Sequence, residues 1–234
     1  MFTIVMVSIF GTIDNGSQAS SAHKARSSPA LPVSVPAVVA HGPNGRSGTP
    51  LGYLSQDLLE WNGGYYFTTD CSKAMVNGQL SSGALTNPAQ PSGFINVGLV
   101  LPFNDQMGIG LDDDILHSFA IIVGTSTTSD GSPAVVSKDM SYVSYGIGLP
   151  MEGNVWSLGA DNELIPTWIN PNEEAVRLEI AYVTDGDYLI ATPSVSAIAD
   201  NFKYAWGDVA TRVIHIRLFI EDQLTYPEMH PIPS

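Results

Sequence analysis

The 234 residues include 9 Lys+Arg against 23 Asp+Glu, for a net charge of −14, and they are 44% hydrophobic but only 14% charged. That length suits one domain with a sizeable core, and the acidic balance argues against a nucleic acid or an anionic membrane surface as partner, since both are held by cationic contacts. The single cysteine, Cys71, excludes an internal disulfide, so the core itself must supply stability.

In chain order, MFTIVMVSIFGTI at 1–13 is an apolar run of signal-peptide length, followed by small-residue sites at Ser17-Gln18-Ala19 and Ser20-Ser21-Ala22. Residues 1–22 therefore read as a signal peptide and the protein as secreted, although no Lys or Arg precedes the run. The run falls short of the ~20 apolar residues a membrane-spanning helix needs. Residues 23–50 are rich in Pro, Ser and Ala, with Lys24, Arg26 and Arg46 their only charges. Repeated prolines argue against regular structure there, and the segment reads as an extended arm or propeptide, or more simply as a disordered linker.

The folded domain is expected over 51–222. Leu51 to Ser55 opens it, and the turn Trp61-Asn62-Gly63-Gly64 leads into Tyr65-Tyr66-Phe67-Thr68-Thr69, whose residues favour strands, so a hairpin is expected. Cys71, just after this strand, reads as a small buried apolar residue, and CSKAMV as one helical turn. Gly78 to Gly93 reads as loop, Phe94 to Leu101 as a strand, and Ile115 to Val123 as a central strand buried on both faces. Gly124 to Pro133 is a polar loop, and Met140 to Ile147 brings Tyr142 and Tyr145 ahead of Gly148-Leu149-Pro150.

From Asn154 to Ala191, four apolar runs alternate with Gly159-Ala160-Asp161-Asn162, Asn170-Pro171-Asn172 and Asp185-Gly186-Asp187, which reads as a β-meander. In its third run Val176, Leu178, Ile180 and Tyr182 share a face, while Ala175, Arg177, Glu179 and Ala181 share the other, the period of a half-buried strand. Pro193 to Tyr204 has helical spacing with Ser194 as cap. Val209 to Ile220 is a strand with Ile214, Ile216, Leu218 and Ile220 on one face and His215 and Arg217 on the other, and 223–234 is a proline-ended tail. The fold class is all-β, mainly antiparallel, a β-sandwich or barrel with one short helix near 194–204.

Chemistry is thinly marked. Asp112-Asp113-Asp114, with His117 close by, is the densest acidic cluster and the candidate cation site, but it lacks the alternating ligands, central Gly and distal Glu of an EF-hand. The five histidines are scattered without zinc spacings, no Gly-x-Ser-x-Gly elbow is present, and no cofactor is expected. Glu152, Glu163, Glu173 and Glu174 are candidates for a glycosidase carboxylate pair only because they are acids. Among the tryptophans, Trp156 and Trp168 lie in meander strands and read as core. Trp61 beside Asn62, and Trp206 near Asp208, sit at turns where a ring can stack on a sugar.

Several motifs carry a resemblance: GYLS at 52–55, YYFTTDCSKAMV at 65–76, NVWSL at 154–158, LIPTWINP at 164–171 and DYLIATPSVSAIAD at 187–200. Together, over most of 51–220, they resemble a family of small secreted β-rich proteins of basidiomycete fungi with no established activity. The chain is also similar to the small subunit of heterodimeric fungal laccases, a non-catalytic chain that accompanies a copper oxidase. It departs from the commoner pattern at Ala191-Thr192-Pro193, where a Thr-Gly-Asp turn is expected. The resemblance implies secretion and a β-rich fold, while the absence of catalytic motifs and the Pro-rich extension point to a non-catalytic protein that acts through a binding surface, as an accessory subunit of or partner to another extracellular protein or by self-assembly. Two other readings stand beside it: a lectin-like glycan binder, and a glycoside hydrolase with an unrecognised carboxylate pair.

Overall fold

The computed structural model describes residues 31–102, 111, 118–142, 147–206 and 213–222, with 201–206 described as backbone. Its elements are β1 (Val33–His41), β2 (Gly52–Leu58), β3 (Tyr65–Thr68), β4 (Val76–Ser81), β5 (Ala84–Thr86), β6 (Asn96–Val100), β7 (Ala120–Thr125), β8 (Val135–Ser137), β9 (Leu149–Glu152), β10 (Trp156–Leu158), β11 (Glu163–Ile169), β12 (Ala175–Arg177), β13 (Glu179–Val183), β14 (Tyr188–Thr192), α1 (Val195–Trp206) and β15 (Val213–Glu221). Every strand pairing is antiparallel.

Eight strands close into a barrel in the order β15-β13-β14-β7-β6-β5-β4-β1, and the β1–β15 ladder from Ala37↔Glu221 to His41↔Arg217 joins its ends. Closure leaves these strands no free edge. The interior is filled by side chains: Val97, Leu99, Ile122, Leu189, Ile180, Ile216 and Leu218 meet in one buried cluster with Trp156 and Trp168. A second cluster covers the outer face of β6, β7, β13 and β14, where Val123, Ile121, Ala181 and Ile190 meet Met151 of β9 and Val195 and Ile198 of α1. The β2–β3 hairpin pairs with β1 and reaches across to bridge Val123 through Gly64.

The meander forms as its alternation predicts, with Val176, Leu178, Ile180 and Tyr182 all on the main core. Its opposite face is not wholly solvated, since Ala181 lies under α1. Ser194 caps α1: its Oγ accepts the Ala197 N–H at 3.3 Å, and Glu179 Oε2 accepts the Val195 N–H at 2.9 Å. Both tryptophans assigned to the core are fully buried. Among the described residues no helix is long and apolar enough to cross a membrane.

Three expectations fail. The Pro-rich stretch 23–50 is not an arm throughout, because its second half supplies β1, the strand that closes the barrel. Pro36 fits there because the ladder to β15 starts only at Ala37, so its missing N–H is not called upon. The residue facing it on β4, Asn77, leaves strand geometry with φ 57. Gly78 to Gly93 is not all loop: β4 and β5 form a hairpin about Ser82-Gly83, both at positive φ (47 and 79), as a type I′ turn requires. Cys71 is exposed rather than buried, since it opens a 3-10 turn whose Asp70 carboxylate accepts the Ser72 N–H. Residues 1–30 and the 223–234 tail lie outside the described residues.

Candidate functional site

The turn joining β2 to β3 holds Trp61, 60% exposed, the largest exposed apolar side chain of the described residues. Its backbone is fixed by the Leu59 N–H to Gly64 O bond at 2.9 Å and the Gly63 N–H to Leu59 O bond at 2.7 Å. Asn62 is buried; its Oδ1 accepts the Gly64 N–H at 2.8 Å and shapes the loop, while its Nδ2 has no hydrogen-bond partner among the described residues. The loop is also tied to the barrel wall. Ser141 Oγ donates to Gly63 O at 2.7 Å while accepting the Gly124 N–H of β7 at 2.8 Å.

On this support the Trp61 ring meets Tyr188 edge-on, centroids 5.8 Å apart at 76°, and lies beside Gly186 of the β13–β14 turn. Tyr188 is partly buried, and that burial, reinforced by nearby Tyr142, raises its phenol above the ordinary value. At the same turn Tyr182 donates its hydroxyl to Asp187 Oδ1 at 2.5 Å, and burial, reinforced by that carboxylate, raises the phenol well above normal. The result is a braced aromatic platform flanked by the acids Asp185 and Asp187. Asp187 holds φ 54 at a turn the sequence marks, whereas nothing local announces that Tyr188 will lie against Trp61, because that contact is tertiary.

The other candidates separate. Asp112, Asp113, Asp114 and His117 lie outside the described residues, as do Asp208 and the side chain of Trp206. Among the described residues no three metal-ligating side chains converge. Of the four glutamates, Glu152 is buried and accepts the Ile169 N–H at 2.6 Å. Glu173 and Glu174 stand on the exposed β11–β12 turn. Glu163 is held by Arg217 through two bonds of 2.7 and 2.6 Å.

Glu163 also borders a cleft of about 460 Å³ on the outer wall, where one edge of β15 is shared by two strands. Residues Val213 to Ile216 pair with β13, whereas Leu218 and Phe219 pair with β11, so the strands part at Arg217. The Leu178 N–H donates to Pro166 O at 2.9 Å and closes the fork at its far side. Below it, Arg46 and Arg217 both lie over the Phe219 ring, at 5.1 and 5.4 Å. His41 meets that ring edge-on, with its Nε2 3.8 Å from Glu221 Oε1.

Burial is the main influence on His41 and lowers its imidazole below the ordinary 6.5, with Arg46 adding to it, against the upward pull of the Gly48 backbone and Glu221. The folded protein therefore takes up this proton less readily than the unfolded chain, and stability must fall as pH drops through 6.5 toward the folded value. Melting temperatures recorded between pH 7.5 and 5.5 are expected to decline for the wild type and to decline less for His41→Leu. Equal slopes would remove His41 as the cause.

No protein-family model, no curated protein and no solved structure matches the chain.

Proposed function

We propose that this is a secreted, non-catalytic binding protein, an accessory chain that docks on another extracellular protein or on a second copy of itself through the surface centred on Trp61 and Tyr188. The observation that carries the reading is a tryptophan left 60% exposed on a loop tied down on either side of it by hydrogen bonds at Leu59, Gly63 and Gly64. Exposing a large apolar ring costs solubility. Fixing it in advance lowers the entropy lost on binding, and Trp and Tyr are the residue types that dominate interface energetics. The resemblance to an accessory chain of a copper oxidase points the same way, and on that reading the copper belongs to the partner.

Sedimentation of the native extracellular preparation tests this. The wild type is expected in a species heavier than the 24.9 kDa of the full 234-residue chain, and Trp61→Ala is expected to weaken the association by about 2 kcal/mol, roughly thirty-fold, with release as monomer. A chain that sediments alone in both forms overturns the proposal.

A second reading, glycan binding on the same ring, is favoured by the exposed Asp185 and Asp187 on either side of Gly186, the turn residue beside the ring, since sugar recognition pairs an aromatic face with carboxylate hydrogen bonds. Glycan-dependent quenching of tryptophan fluorescence, lost in Trp61→Ala while sedimentation stays unchanged, would select it over protein docking.

A further inference from the structure

The cleft at the β15 fork is built from the outward faces of four strands, β11, β12, β13 and β15. Along β15 the inward residues Ile216 and Leu218 belong to the core, so His215 and Arg217 face out. The same alternation turns Arg177 and Glu179 outward beside the inward Leu178 and Ile180, and Glu163 and Ile165 outward beside Leu164. Where the sheet is continuous, such outward residues would stand apart in rows. Because β11 and β13 part at Arg217, the rows turn toward one another around a common space.

The charges of this cleft are not equally available. Glu163 spends both carboxylate oxygens on Arg217, and Glu179 gives Oε2 to the first N–H of α1. Among the described residues Arg177 has no side-chain partner, and neither has His215, although both border the cleft. The spare hydrogen-bonding capacity is therefore mostly that of donors: a guanidinium can only donate, and an imidazole donates from at least one nitrogen. With Glu163 engaged by Arg217 and Glu179 keeping only one oxygen free, the unpartnered guanidinium of Arg177 is matched by a planar acceptor, and a carboxylate fits its fork through two parallel bonds. Ile165, Pro43 and Pro193 also line it and offer apolar surface to a carbon skeleton. The volume of about 460 Å³ lies within the range of small-molecule sites, roughly 300–1,000 Å³.

The cleft also lies apart from the aromatic platform. Ile180, which lines the cleft, stands three residues before Val183 at the end of β13, so at about 3.3 Å per residue about 10 Å of strand separates the cleft from the turn carrying Asp187. We propose that the fork between β11 and β13 is a binding site for small organic carboxylates, held by Arg177 and His215 and distinct from the Trp61 surface.

The test is a calorimetric and NMR titration of the full chain with benzoate and D-glucuronate, with benzamide and D-glucose as uncharged counterparts and inorganic phosphate as a bare anion. Saturable binding of at least one acid is expected, with shifts in the His215 ring signals. Arg177→Ala is expected to weaken it ten-fold or more, and Arg177→Lys by less. Arg177 is exposed, so these variants should keep the wild-type melting temperature, and Trp61→Ala should bind the acids as the wild type does. The proposal is overturned if neither acid binds below 20 mM, if Arg177→Ala binds them unchanged, or if phosphate or the uncharged counterparts bind equally well.

Discussion

Gly63→Ala is expected to destabilise the protein by about 2–5 kcal/mol and to release the Trp61 loop from the barrel. One part of this is conformational. Gly63 has φ +72, a left-handed backbone that costs an L-residue about 1–2 kcal/mol. The other part is steric, because a Cβ there would stand 1.9 Å from the backbone O of Ser141. A backbone atom cannot be turned aside as a side chain can, so the loop or the Ser141 segment must move. That movement breaks the Ser141 hydroxyl bridge to Gly63 O and the Gly124 N–H, at a price of about 1–3 kcal/mol by analogy with overpacked cores.

Gly131 separates the two parts. It has nearly the same φ, +71, but nothing within 4 Å of where its Cβ would be, so Gly131→Ala should show the conformational cost alone. Urea denaturation measures both variants. Iodide quenching of Trp61 in native buffer should rise for Gly63→Ala and stay level for Gly131→Ala. Equal destabilisation of the two would mean that the contact with Ser141 does not hold the loop.

The elements that can be read from sequence are those whose pattern is local. The alternation Val176, Leu178, Ile180, Tyr182 states which face of the third meander run is buried, and the core accepts all of them. Ser194 before an i, i+3 apolar pattern announces a capped helix, and the Ala197 N–H bonds its hydroxyl. Closure of the barrel is another matter. It depends on Ala37 to His41 meeting Arg217 to Glu221, and no periodicity in either segment reveals the other. Pro36 and the surrounding Ser and Ala residues hide β1 further, although its run of valines has strand character. The β4–β5 hairpin is hidden by Gly78, which reads as a loop residue but is required there because a Cβ would lie 2.5 Å from Thr86 O.

The sites divide in the same way. The Asn62-Gly63-Gly64 turn makes an exposed Trp61 legible, whereas Tyr188 beneath it is brought in by the fold. The outward directions of Arg177, Glu179, His215 and Arg217 follow from alternation alone. That they surround one cleft follows from a strand fork, which only the pairing of β11 and β13 with the same edge of β15 creates.

Trp156→Ala is expected to cost about 3–5 kcal/mol, a large share of the roughly 5–15 kcal/mol that holds a domain together. Trp156 and Trp168 are both 0% exposed in the same core, so truncation to alanine should be severe at either. Phenylalanine separates them. Trp156 donates its indole N–H to Val97 O at 2.5 Å, joining β10 to β6, whereas the indole nitrogen of Trp168 has no acceptor among the described residues. Trp156→Phe loses packing volume and a buried hydrogen bond, worth about 1 kcal/mol net. Trp168→Phe loses similar volume but removes an unsatisfied donor whose burial costs about 1–3 kcal/mol, so the two terms oppose. Urea midpoints should therefore place Trp168→Phe close to the wild type and Trp156→Phe well below it, with unchanged denaturant slopes if both unfold as one unit. Hydrogen exchange adds a spatial check: since β10 pairs with β11, which walls the cleft through Glu163 and Ile165, Trp156→Phe should speed exchange across β10 and β11 and leave the Trp61 loop as protected as before. If Trp168→Phe proves as damaging as Trp156→Phe, packing alone sets both positions, and the hydrogen bond to Val97 contributes nothing measurable to holding β10 and β11 on the barrel.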